Sequence, residues 1–206
     1  MEKNKLTESA TERAKKFIEQ RGGIIRTAEA LSAGIHPRIL YSLRDNRIIE
    51  QISRGVYRLI DLEPISNPDL VIVASRVPRA VVCLISALAY HDITTQIHHE
   101  VSIALEKGAE SPRIDYPPVF VHRFSKESFK AGIEKHDIDG IAVRIYSIEK
   151  TLADCFKFRN KIGMSVVLEA LKLYRVRKKF NLGELLKYAH ICRVEKVMKP
   201  YLEAIL

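Results

Sequence analysis

Only three cysteines, Cys83, Cys155 and Cys192, occur in the 206 residues, and they are widely spaced within apolar stretches. An odd number so placed excludes a disulfide framework or a cysteine-built zinc site and points to small core hydrophobes in a reducing compartment. Long apolar runs are also missing. The longest candidate, Val81 to Ala89, falls far short of the ~20 residues of a membrane span and reads as a buried helix. The opening MEKNKLTESATERAKK has no apolar signal region, so a cytoplasmic protein is expected. There is no glycine-rich phosphate loop, no nucleophile motif of the Ser/His/Asp or Cys/His kind, no internal repeat and no low-complexity tract. No catalytic residue, cofactor or metal is expected on these grounds.

What is present is a folded, basic chain. A hydrophobic share of 47% excludes a mainly disordered protein. The net charge of +9 is unevenly placed: +4 over residues 1–62, −1 over 63–171 and +6 over 172–206. Two basic ends favour polyanions or an acidic protein as partners.

The stretch Thr27 to Ile60, TAEALSAGIHPRILYSLRDNRIIEQISRGVYRLI, organises the first part. Thr27 suits the N-cap of a short helix, Gly34 ends it, and Pro37 fits the first position of a second helix, with His36 as its cap. Leu40 and Leu43, three apart, face a core and leave Arg38, Tyr41, Ser42 and Arg44 outward. The runs Ile48 to Ile52 and Val56 to Ile60 read as a hairpin across Ser53-Arg54-Gly55. A preceding helix over Thr7 to Arg21 and a short strand at Ile24 and Ile25 complete a winged helix-turn-helix over residues 1–62. Between Gly34 and Ile60 stand five arginines against Asp45 and Glu50. Operator DNA is the expected partner, with Arg38 and Ser42 reading bases, Tyr41, Arg44 and Arg47 holding phosphates, and Arg54 on the wing entering the minor groove.

Residues 63–69, with two prolines, read as a linker, and 70–206 as a second domain. Its expected elements are helices at Leu70 to Arg76 and Val82 to His91 and strands at Val101 to Leu105 and Val119 to Phe124. A short helix around Ser125 to Ala131 precedes a hairpin of Ile133 to His136 and Ile141 to Tyr146 across an Asp-Gly turn. From Ser147, a helix cap, the chain is helical: through Lys161, then Val166 to Arg177, then a helix opened by Asn181 with Glu184, then Glu195 to Leu206 with Pro200 inside. The fold class is α+β, a winged helix-turn-helix followed by a mixed α/β domain with a helical C-terminal part.

Cys83-Leu84-Ile85-Ser86-Ala87-Leu88-Ala89-Tyr90-His91, Thr94-Thr95-Gln96-Ile97 and, most specifically, SIEKTLADCFKFRNKIG at Ser147 to Gly163 resemble the AbiEi family of antitoxins and transcriptional regulators. His98 and Ile148 stand where proline is expected in relatives. The resemblance implies an antitoxin of a type IV toxin–antitoxin system linked to phage abortive infection. Its N-terminal domain would repress its own operon, and its C-terminal domain would counter a nucleotidyltransferase-like toxin. The protein would be a monomer in solution or a dimer on DNA.

On the first helix of that C-terminal part, Lys150, Asp154, Lys157 and Lys161 form a charged stripe opposite Ile148, Leu152, Cys155 and Phe156. With Arg175, Arg177, Lys178 and Lys179 they are candidates for a toxin or partner surface; a solvated helix end is the equal alternative. His91, His98, His99 and Glu100 lack the spacing of a metal site, since adjacent histidines on a strand point apart. Asp137-Ile138-Asp139 has the carboxylate spacing of nucleotidyltransferases, but no Gly-Ser pair occurs in the chain and Gly140 marks a turn. Two alternatives remain: a nucleic-acid-processing enzyme that docks through the winged helix, and a regulator whose second domain senses a small molecule.

Overall fold

The computed structural model describes residues 2–97, 99–177 and 180–205, and the side chains of 2–9 and of Ile205 lie outside the description. Met1, His98, Lys178, Lys179 and Leu206 are therefore outside it too. The chain is a mixture of helices with two sheets, and it divides into two compact units, 1–76 with 137–142 and 77–136 with 143–206.

The first unit begins with helix α1 (Glu2–Glu19), followed by strand β1 (Ile24–Arg26), helix α2 (Thr27–Ser32) and helix α3 (Pro37–Asp45). Strands β2 (Ile49–Ser53) and β3 (Val56–Leu59) make an antiparallel hairpin, and β1 joins its β3 edge to give the order β1-β3-β2. The expected third strand is thus present. Ala14 and Ile18 from α1, Ala30, Ile35, Leu40, Leu43, Ile49, Tyr57 and Leu59 form one buried cluster. The i, i+4 spacing of Ala14 and Ile18 places both on one face of α1, which is why the helix packs there.

Thr27 does not cap α2. It is the first helical residue, and Arg26 before it donates its N–H to the Glu29 carboxylate at 3.0 Å while its guanidinium pairs with the same carboxylate at 2.6 Å. The Thr27 hydroxyl instead donates to the Gly55 carbonyl. That pairing with Arg26 also holds the Glu29 carboxyl below its usual range against the opposing effect of burial.

The first unit extends beyond residue 62. Helix α4 (Pro68–Arg76) belongs to it, because Arg26 Nη1 donates to the Ser75 carbonyl at 3.3 Å and Arg76 Nη1 to the Arg54 carbonyl at 2.6 Å. So does the turn at 137–142, where the Asp139 carboxylate accepts from both the N–H and the hydroxyl of Ser66. These long-range bonds are invisible to the proline count that marked residues 63–69 as a boundary.

In the second unit strand β4 (Val81–Val82) precedes helix α5 (Leu84–Tyr90); the expected helix from Val82 instead begins two residues later. Val81 and Val82 pair with Ala104 and Ile103, and Val82 also pairs with Ile145, so two β-branched residues complete a sheet. Strands β5 (Val101–Glu106) and β6 (Val119–Phe124), helix α6 (Lys126–Lys130) and strands β7 (Ile133–Ile138) and β8 (Ile141–Tyr146) follow, in the sheet order β6-β5-β4-β8-β7. Every residue from Val101 to Leu105 is buried, the pattern of a strand covered on both faces.

Helices α7 (Ile148–Lys157), α8 (Arg159–Ile162), α9 (Met164–Arg175), α10 (Leu182–Ile191) and α11 (Glu195–Ile205) complete the unit. Ser147 Oγ caps α7 by accepting from the Lys150 N–H, and Asn181 Oδ1 caps α10 by accepting from the Glu184 N–H. Helix α7 lies at the centre, packed by α5, α9, α10 and α11, and residues 150–156 of it are all buried. The three cysteines are free and buried, as small core side chains.

His122 on β6 is buried between the Phe120 and Phe158 rings, and burial, with Lys161 adding repulsion, lowers its pKa to about 4. The unfolded chain takes up this proton near pH 6.5 and the folded one near 4, so stability rises with pH across that window. Lowering the pH from 7 to 5 is expected to cost about 2 kcal/mol through His122. Urea unfolding of the wild type and of His122→Phe at both pH values checks this. The variant should lose most of the slope, leaving the smaller part due to His91, whose pKa burial also lowers.

Candidate nucleic-acid interface

Helix α3 is built to present one face. Pro37 occupies its first position, His36 Nδ1 accepts from the Arg38 N–H at 3.2 Å, and Leu40 and Leu43 are at most 1% exposed. With that face locked into the core, Arg38, Tyr41 and Arg44 run along the opposite side at steps of three. Arg38 and Arg44 are exposed, and Tyr41 is 48% exposed despite its large ring.

These residues differ in how free they are. The Arg38, Arg47 and Arg54 side chains have no hydrogen-bond or ion-pair partner among the described residues. Arg44 lies over the Tyr41 ring at 5.4 Å and pairs with Asp45 at 3.0 Å, an exposed pair of small energetic weight that an incoming phosphate can replace. Ser42 is half-buried, and the Asn46 amide donates to its carbonyl at 2.8 Å and reaches its hydroxyl at 3.4 Å. Its hydroxyl therefore enters any base contact already shared with Asn46, a residue that the sequence reading passed over.

Arg47 leaves the helix with φ 55, a left-handed conformation that closes the last turn, and its N–H donates to the Arg44 carbonyl. Arg54 sits in the hairpin turn beside Gly55, whose φ of 74 supplies the conformation the turn requires. The tip is held at its backbone: the Gly55 carbonyl accepts from Thr27 N–H and hydroxyl, and the Arg54 carbonyl from Arg76. The Arg54 side chain is left exposed. Of the five arginines counted between Gly34 and Ile60, one does not contribute. Arg58 is buried, held by Glu50 at 3.1 Å and by the Leu62 and Glu63 carbonyls.

The charged stripe expected on α7 is corrected by the structure. Lys150 and Asp154 are both fully buried and paired at 2.5 Å, so Lys150 offers nothing to a partner. Periodicity marked that face as charged, but the Phe124 and Tyr146 rings lie against the Lys150 ammonium and the Cys192 thiol donates to Asp154. Lys157 and Lys161 are exposed, with ammonium groups 5.9 Å from the Phe124 and Phe158 ring centres respectively. Arg175 and Arg177 are half-buried; Arg175 stacks on Phe180, and Arg177 donates to the Asp92 carbonyl at 2.8 Å. Lys178 and Lys179 lie outside the described residues.

Asp137 and Asp139 are both engaged within the chain, the first in its own turn and the second over a long range. Asp137 Oδ1 accepts from the Gly140 N–H at 3.1 Å, and Asp139 Oδ2 holds Ser66. Of the residues weighed as ligands, His99 and Glu100 are exposed and His98 is outside the described residues, whereas His91 meets Glu134 and His136.

Residues 12–60 match the family described as transcriptional regulator, AbiEi antitoxin, in agreement with the family that the sequence resembles, and this supports a regulator role. The matched segment contains the last eight residues of α1, then β1, α2, α3 and the hairpin. No curated protein matches the chain. Among solved structures, the RV2827C protein from Mycobacterium tuberculosis is similar in fold, with a TM-score of 0.57, 13% identity, and 95% of this chain and 81% of that chain covered. No helix among the described residues is long and apolar enough to cross a membrane.

Proposed function

We propose, from the match of residues 12–60 to the AbiEi regulators, that this protein is a cytoplasmic DNA-binding antitoxin whose first unit is a winged helix-turn-helix. The observation that carries the reading is the outward row Arg38, Tyr41 and Arg44 on a helix whose opposite face is locked by Leu40 and Leu43. In this reading α3 enters the major groove. Arg38 reads a base edge together with the Ser42 hydroxyl, Tyr41, Arg44 and Arg47 hold phosphates, and Arg54 on the wing reaches the minor groove. The protein represses its own operon and, through its second unit, counters a nucleotidyltransferase-like toxin as part of a phage-defence system. Lys157, Lys161, Arg175 and Arg177 are the described cations available to that partner. No catalysis is part of this reading, since Asp137 is engaged by the turn at Gly140 and Asp139 by Ser66.

The test is fluorescence anisotropy with the promoter fragment of its own operon across a salt series. Affinity should fall steeply with salt. Arg38→Ala should cost about 1–3 kcal/mol, roughly 5- to 150-fold, at one operator position, whereas Arg47→Ala should weaken all sequences alike and reduce the salt slope by about one. Salt-independent or absent binding would remove the repressor reading. Uniform weakening by both substitutions would remove the assignment of roles. Co-expression with the toxin encoded alongside tests the antitoxic half: growth should be rescued, and combined reversal of Lys157 and Lys161 to glutamate should impair rescue.

A further inference from the structure

Three ligand-bearing side chains converge in the second unit. One ligand atom each from His91, Glu134 and His136 lies within 4.8 Å of the other two. His91 caps the C-terminus of α5, while Glu134 and His136 stand two apart on β7, the edge strand of the five-stranded sheet. A spacing of two puts both on one face of that strand, so the backbone itself pairs them.

The supporting contacts favour ligation. His91 Nε2 lies 2.8 Å from the Tyr146 carbonyl, so this nitrogen carries the proton and donates it, and Nδ1 keeps its lone pair. A histidine oriented by a hydrogen bond from its other ring nitrogen to a backbone carbonyl is the usual outer support of a metal ligand. The Tyr90 ring packs edge-on against both imidazoles, at 5.4 Å from His91 and 4.9 Å from His136, and limits their rotation. His136 Nε2 meets Glu134 Oε2 at 3.0 Å, a pair that shares a proton a cation can replace. Both histidines are half-buried and Glu134 is exposed, so a cation would have access from solvent and a coordination position left for water.

We infer that His91, Glu134 and His136 form a binding site for a divalent transition-metal ion of the zinc class. Two imidazoles and one carboxylate suit Zn²⁺, and a donor set with two nitrogens disfavours Mg²⁺ and Ca²⁺. The ion would bridge the end of α5 to the edge strand of the sheet, whose strand neighbour is β8. This departs from the expectation that no metal binds, which weighed His91 only with His98, His99 and Glu100; Glu134 and His136 lie more than forty residues further along the sequence.

Isothermal titration of the metal-free full chain with Zn²⁺, followed by Co²⁺ substitution, decides the matter. One equivalent per chain should bind, and Co²⁺ should give the intense visible bands of a low-coordinate site. Affinity should fall at least tenfold in His136→Ala and in Glu134→Gln, both at partly exposed positions where folding is easily verified by circular dichroism. A Zn²⁺-dependent rise in thermal midpoint should vanish in the same variants. No stoichiometric binding, or binding unchanged by either substitution because other histidines carry it, would overturn the site. DNA binding plays no part in any of these readouts.

Discussion

Replacing Lys150 by methionine is expected to lower the unfolding free energy by about 3–5 kcal/mol, because it leaves a buried carboxylate without its counter-ion. Lys150 and Asp154 are both 0% exposed and meet at 2.5 Å, one turn apart on α7. The ammonium also lies over the Tyr146 ring at 4.2 Å and the Phe124 ring at 5.0 Å, and Asp154 Oδ1 accepts from the Cys192 thiol at 3.2 Å. Burial raises the Asp154 pKa while Lys150 opposes it, and the same burial pushes up the Cys83 and Cys155 thiols. With Lys150 gone, Asp154 folds in its protonated form and its folded pKa moves further above the unfolded value. The folded state then binds the extra proton, so the variant loses stability as pH rises through the range between the two values. The loss measured by urea unfolding should therefore be larger at pH 8 than at pH 5.

Replacing both partners separates charge from packing. Lys150→Met combined with Asp154→Leu should recover most of the loss, since an apolar pair leaves no unpaired charge. A single variant within 1 kcal/mol of the wild type would mean that the pair is reached by water and that α7 is less enclosed than described.

The second large effect is expected at Gly22, where alanine should cost about 2–4 kcal/mol, combining a left-handed backbone with an overpacked contact. Gly22 has φ 81, and an added Cβ would stand 2.9 Å from the Gly140 Cα, a backbone atom of a tight turn that cannot swing aside. That turn is itself held by Asp137 on Gly140 and by Asp139 on Ser66. Gly34→Ala is the matched control: its φ is 77, but nothing lies within 4 Å of the added carbon. Gly22→Ala should be clearly the more destabilising in paired denaturation curves. Equal losses would show that the hairpin turn does not approach the end of α1.

Much of the fold was legible because it is local. Pro37, the Leu40 and Leu43 spacing, the Arg54-Gly55 turn, the Ser147 and Asn181 caps and the Asp139-Gly140 turn each act over a few residues, and each appears where periodicity and turn chemistry put it. Misreadings came where a distant segment decides. Val81 and Val82 look like the start of an apolar helix until Ile103, Ala104 and Ile145 pair with them. Residues 63–69 look like a boundary until Arg26 and Arg76 tie α4 back to the first unit.

The candidate sites divide in the same way. The sequence by itself determined the outward row of α3, because a helix with two inward leucines has only one face left for its arginines. Only the tertiary structure decided which cations are surface and which are core. Helical periodicity orders side chains around an axis but does not say how many sides neighbouring helices will cover. Arg58 on β3 and Lys150 on α7, indistinguishable from solvated cations in sequence, are both internal, and tertiary packing gives His91 two companions from β7.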